Sequence, residues 1–162
     1  MNEILIEVSK KLHHNKLLLV SAESCTGGWV AKSITDLAGS SVIFDRGFVT
    51  YSNQAKQDML NVSKKTLEQF GAVSEQVVKE MVEGALKNSR ADIAVSISGV
   101  AGPDGGTPEK PLGMVCFGWM KRDNQAVIET VMLDGDRDAV RFQSVVIALQ
   151  GIGKMIESRH IS

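Results

Sequence analysis

Leu17-Leu18-Leu19-Val20-Ser21 runs directly into Ala22-Glu23-Ser24-Cys25-Thr26-Gly27-Gly28, and this stretch decides the fold. The first segment is a short run of apolar residues, as expected of a strand buried on both faces. The second is small and polar, and it leads into a pattern that predicts a helix over 27–37, closed by Gly39 as its C-cap. A doubly buried strand feeding a helix is the opening of a crossover unit, and crossover units build parallel sheets.

The flanking sequence extends this unit in both directions. Residues 2–14 place Ile4, Val8 and Leu12 on one face of a helix. Residues 42–51 are rich in valine, phenylalanine and tyrosine and predict a strand. Ser52 or Asn53 caps a short helix carrying Ala55, Lys56 and Met59. Ser74 opens a longer one, with Val77, Val78, Met81, Val82, Ala85 and Leu86 as its apolar stripe. Strands follow at 91–98, 113–120 and 126–133, the last two joined by the polar turn Lys121–Gln125. A final helix over about 137–158 buries Val145, Leu149, Ile152 and Ile156. Helices between the early strands and direct connections between the late ones predict an α/β fold. It is a three-layer α/β/α sandwich with a mixed, mostly parallel five-stranded sheet, formed as a single domain by residues 1–162.

Composition narrows the function. With 162 residues, 43% of them hydrophobic, the chain can bury a sizeable core. A net charge of −1 with mixed signs gives no basic stripe, so nucleic acid is not an expected partner. The apolar runs are too short to span a bilayer, and the N-terminus lacks the pattern of a secretory signal. The expected location is the cytoplasm, with Cys25 and Cys116 as free thiols.

In open α/β sheets ligands bind beyond the carboxyl ends of the parallel strands. Three unusual segments fall there: 22–28, 51–56 and the glycine-rich 98–107. Ser24 sits where a helix N-terminus is expected, so the N–H groups around Cys25, Thr26 and Gly27 can stabilise an oxyanion on a serine adduct. Gly27 and Gly28 let a substrate approach the backbone. The alternative is that Ser24 or Thr26 is simply an N-cap. His13, His14 and His160 all lie in terminal helices, which argues against a Ser–His–Asp triad. Lys56 is the better base, provided its pKa falls by about three units from its ordinary value of about 10.4. Tyr51 is placed to relay a proton or orient that base, or else to pack as a strand-end aromatic. Cys25 competes as nucleophile if the helix lowers its thiol pKa.

The loop holding Gly99, Gly102, Gly105, Gly106 and Thr107 matches neither a Walker A loop nor a dinucleotide fingerprint. Its amides can cradle a phosphate, or it is a plain connection. Asp134-Gly135-Asp136-Arg137-Asp138 lacks the spacing of a calcium loop and reads as a turn with an aspartate cap. Arg137 and Arg141 share a helix face, free either to reach a phosphate or to pair with nearby aspartates.

Together these segments resemble the CinA C-terminal-domain family, the stand-alone nicotinamide mononucleotide (NMN) deamidases. The resemblance rests on Ala22 to Gly28, Gly47 to Asn53 with Lys56, Gly71 to Ser74, Ser98 to Gly106, Lys110 to Gly113 and Gly135 to Arg137. It implies hydrolysis of the NMN carboxamide to nicotinate mononucleotide and ammonia, with no metal or cofactor. It carries a serine–lysine acyl-enzyme mechanism onto Ser24 and Lys56, with Tyr51 as the accompanying tyrosine. Substrate contacts are implied for Cys25 to Gly28, for the glycine loop through Thr107, and for Arg137 and Arg141. A homo-oligomer, dimer or higher, is also implied. Many relatives carry an N-terminal partner domain that these residues do not match, so that domain's activity is not expected. Met114 departs from the small polar residue the family often has there. The alternative reading is a catalytically silent nucleotide-binding module, or an accessory protein of competence and DNA repair.

Overall fold

A computed structural model describes residues 1–158. Its order is α1 (Asn2–His14), β1 (Leu19–Glu23), α2 (Trp29–Thr35), a 3-10 turn (Ser40–Val42), β2 (Phe44–Val49), α3 (Asn53–Leu60), α4 (Lys64–Phe70), α5 (Glu75–Lys87), β3 (Ile93–Gly99), β4 (Met114–Lys121), β5 (Val127–Met132) and α6 (Arg137–Glu157). The strands form one sheet in the order β2-β1-β3-β4-β5. β1 pairs in parallel with β2 and β3, and β4 runs antiparallel to both β3 and β5. The mixed five-stranded α/β architecture expected from the sequence is therefore the one observed.

Alternation along the central strands builds the two cores. Leu19, Ile93, Val95, Ile97, Val115, Phe117 and Trp119 face one way, against buried residues of α1, α2 and α6. Val20, Ala22, Ala94 and Cys116 face the other, against α3, α4 and α5. Every residue of β1 is buried, the polar Ser21 and the charged Glu23 included, as expected of a central strand covered on both faces.

Several boundaries differ from expectation. The helix predicted at 27–37 is shorter and begins only at Trp29, because Gly27 and Gly28 adopt φ values of 60° and 100° in the preceding turn. Gly39 does not close that helix, whose C-cap is Asp36; it precedes the 3-10 turn instead. That turn takes residue 42 out of the predicted second strand. Three helices rather than two separate β2 from β3. The unexpected one, α4, buries only Leu67 and so leaves little apolar periodicity to read. Ser52, Ser74 and Asp136 cap α3, α5 and α6 by accepting hydrogen bonds from Ala55, Val77 and Ala139 N–H. His13 and His14 end α1, and His160 lies outside the described residues.

α3, which carries Lys56, is seated on α5 by a close approach. A Cβ at Gly84 would lie 1.9 Å from the Leu60 carbonyl oxygen. Gly84→Ala is expected to lower stability by about 2 kcal/mol despite alanine's better helix propensity. Thermal unfolding checks this; an unchanged or raised Tm would contradict the close seating.

Candidate active site

β1, β2 and β3 end together. In register Glu23 pairs with Val49 and with Ile97, and beyond that level Thr50 N–H donates to Glu23 O at 2.8 Å and Ser24 N–H to Ile97 O at 3.0 Å. The sheet thus continues for one residue past its last paired rung, and this fixes where Ser24 and Thr50 stand.

Lys56 comes up from the first turns of α3 into this space. It is only 1% exposed, and its side chain is one of the largest fully buried ones among the described residues. Its Nζ lies 2.9 Å from Ser24 Oγ, 2.8 Å from Thr50 O and 3.2 Å from Tyr51 O. Burial pulls the lysine pKa down to about 8, because desolvation disfavours the charged form. The two carbonyls only accept hydrogen bonds. A neutral Lys56 therefore directs both N–H bonds at them and its lone pair at the Ser24 hydroxyl. Cys25, next to the serine, is driven the opposite way: burial raises its thiol to about 11. That environment disfavours a thiolate and speaks against Cys25 as the nucleophile.

The expectation that Ser24 opens a helix is corrected here. Residues 24–28 form a turn, with Gly27 N–H donating to Ser24 O and Trp29 N–H to Thr26 O. Neither Ser24 nor Thr26 caps α2, and the first helical amides are occupied by a residue with no role in the sequence reading. Glu23, fully buried, accepts from Val30 N at 2.9 Å, Ala31 N at 3.1 Å, Thr26 Oγ1 at 2.7 Å and Ser21 Oγ at 3.3 Å. A carboxylate against the positive end of a helix is favourable, and here it consumes the donors that the helix would have offered a ligand. The N–H groups of Cys25 and Thr26, by contrast, donate to no backbone carbonyl among the described residues. The sequence signal for Glu23 was a charged residue closing an otherwise uncharged, wholly buried strand.

The remaining expected residues lie around this centre. Tyr51 is 62% exposed, and its hydroxyl accepts from Arg137 Nη2 at 3.1 Å; it is its carbonyl that meets Lys56. Arg137 also donates to Gly102 O at 2.7 Å, which joins the 51–56 segment to the glycine-rich loop. Arg141 donates to Cys25 O and Thr26 O. Neither arginine forms a salt bridge with an aspartate among the described residues. Gly99 ends β3, and Gly105, Gly106 and Thr107 lie in an open turn in which Thr107 and Lys110 hydrogen-bond each other. Lys110 Nζ ties that turn to Phe70 O and Val73 O. Gly105, Gly106 and Thr107 make no hydrogen bond to Ser24 or Lys56. The Thr50 hydroxyl is buried and takes no partner, an unusual state that functional sites tolerate. No group of three or more His, Cys, Asp or Glu arranged to hold a metal occurs among the described residues. No helix among them is long and apolar enough to cross a membrane.

A family model described as the CinA C-terminal domain matches residues 1–156. The chain belongs to the CinA C-terminal domain family. Among relatives of this CinA domain, the nicotinamide-nucleotide amidohydrolase PncC of Escherichia coli (strain K12) is 56% identical over 144 residues, covering 89% of this chain and 87% of that protein. The protein of the same name from Enterobacter agglomerans is 54% identical over 150 residues, covering 93% and 92%. The crystal structure of the competence/damage inducible protein CihA from Agrobacterium tumefaciens superposes with a TM-score of 0.92 at 41% identity, over 96% of this CinA domain and 94% of that chain.

Proposed function

We propose that this protein hydrolyses the carboxamide of NMN, giving nicotinate mononucleotide and ammonia, with Ser24 as nucleophile and Lys56 as base. The observation that carries the mechanism is the buried Lys56 Nζ, 2.9 Å from Ser24 Oγ, with carbonyls as its other two partners. The substrate class follows from the relatives named nicotinamide-nucleotide amidohydrolase at 54–56% identity.

Neutral Lys56 takes the Ser24 proton as Oγ bonds to the carboxamide carbon. The oxyanion of the tetrahedral adduct is received by the backbone amides of Cys25 and Thr26. The Lys56 ammonium then protonates the departing nitrogen, the C–N bond breaks and ammonia leaves an ester on Ser24. Water attacks that ester while Lys56 takes its proton, and the proton returns to Ser24 Oγ as nicotinate mononucleotide departs. The cationic pyridinium withdraws electrons from the carboxamide, which makes its carbon a better electrophile.

Folded protein incubated with NMN is expected to release ammonia; no release would overturn the reading and favour a silent nucleotide-binding module. The rate is also expected to depend on pH in one direction. With a pKa of about 8, about a tenth of Lys56 is neutral at pH 7, against about one part in three thousand for an ordinary lysine. Turnover should therefore climb nearly tenfold per pH unit below about 8 and level off above it. A profile flat from pH 6 to 9 would remove Lys56 from the base role.

A further inference from the structure

Arg141 stands on α6, across the sheet from α3 and Lys56, yet its guanidinium reaches into the nucleophile turn. Nε donates to Cys25 O at 3.0 Å and Nη2 to Thr26 O at 3.2 Å. The group lies over the Trp29 ring, 5.4 Å from its centroid, and Trp29 in turn meets Phe142 edge-on at 5.9 Å. Arg141 is thus fixed by packing before it fixes anything else.

In a trans peptide the C=O and the following N–H share a plane and point in opposite directions. Drawing the Cys25 carbonyl toward α6 turns the Thr26 N–H toward the opposite face, where Ser24 Oγ meets Lys56. Drawing the Thr26 carbonyl the same way turns Gly27 N–H toward its partner, Ser24 O, at 3.1 Å. On the same α2–α6 face of the sheet Glu23 holds the Thr26 hydroxyl at 2.7 Å, so the residue is gripped by its carbonyl and its side chain while its amide hydrogen is left to a ligand.

We propose that Arg141 is a positioning residue that holds the Cys25–Thr26 peptide in the orientation that presents Thr26 N–H to the oxyanion of the Ser24 adduct. This rests on the amidase reading above. It gives Arg141 a role at the carboxamide end of the substrate rather than at the phosphate.

The experiment compares wild type, Arg141→Gln and Arg141→Lys by ammonia release from NMN. It repeats the measurement with the dephosphorylated nucleoside, nicotinamide riboside. Loss of one oriented oxyanion donor is expected to lower kcat about 100-fold in Arg141→Gln with KM little changed, and Arg141→Lys should recover part of that rate. The same fold-loss is expected on the nucleoside. In a Ser24→Ala background, Arg141→Gln should leave NMN binding by titration unaltered. A rise in KM with kcat preserved, a loss confined to the phosphorylated substrate, or no change in either constant would each overturn the proposal. If Arg141→Gln does not fold, Arg141→Lys is held to the same split between kcat and KM. Wild type that releases no ammonia overturns the amidase reading itself and this role with it, whereas active wild type with the wrong split overturns only the role of Arg141.

Discussion

Ser24→Ala is expected to reduce ammonia release from NMN by at least about a thousandfold while leaving the protein folded, since the hydroxyl is small and sits at the edge of the core. Lys56→Met is expected to cause a loss of about the same order, because the serine then has no group to accept its proton. Residues that act as a unit are not additive, so the double variant should be no slower than either single one. A Lys56→Met protein within tenfold of wild type would eliminate the proposed base. Stability offers a separate reading of the same lysine. Folding lowers its pKa from 10.5 to about 8. Between those values the unfolded chain binds a proton that the folded chain has released, so stability rises with pH across this window. Relative to Lys56→Met, wild type is therefore expected to gain about 3 kcal/mol between pH 7.5 and pH 10.5. Denaturant titrations at both pH values test this; a constant difference would mean that the folded lysine is not shifted.

The second large effect belongs to Glu23. Glu23→Ala withdraws the acceptor from two helix amides and two hydroxyls, in a place that 0% exposure closes to replacement by bulk solvent. The expected destabilisation is about 3 kcal/mol or more, with activity falling as the 24–28 turn loosens. Glu23→Gln keeps the shape and one carbonyl oxygen, and should lose roughly half as much. Urea unfolding of both variants measures the difference. Equal and small losses would mean that the carboxylate is not what seats α2.

The fold was legible where burial imposes a period. The doubly buried strand at Leu19–Glu23 and the stripe of α5 left little room for another reading, because slipping either would expose its apolar set. The approach of Ser24 to Lys56 was legible for a related reason: parallel strands deliver their ends to one edge. What was not legible depends on partners distant in sequence or on backbone angles. Nothing local to Arg141 says that its guanidinium lands on carbonyls 116 and 115 residues earlier in the chain, and pairing with nearby aspartates was the better reading of its neighbours. Gly27 and Gly28 suit both a helix start and a left-handed turn, and the turn prevails because Glu23 anchors α2 further along. α4 was missed because a helix that buries one leucine carries hardly any pattern.

Besides Ser24 Oγ, the groups that hold Lys56 Nζ are the main-chain oxygens of Thr50 and Tyr51. No side-chain replacement at either position deletes them. The seat of Lys56 is a property of the path of the chain where β2 ends, and is inherited by any residue that follows that path. A library that randomises Tyr51, whose side chain is largely in solvent, can therefore explore new amide substrates with the lysine still in place. The constraint on Lys56 falls instead on the strand pairing beneath it, so that selection on the position of this lysine acts as selection on sheet register.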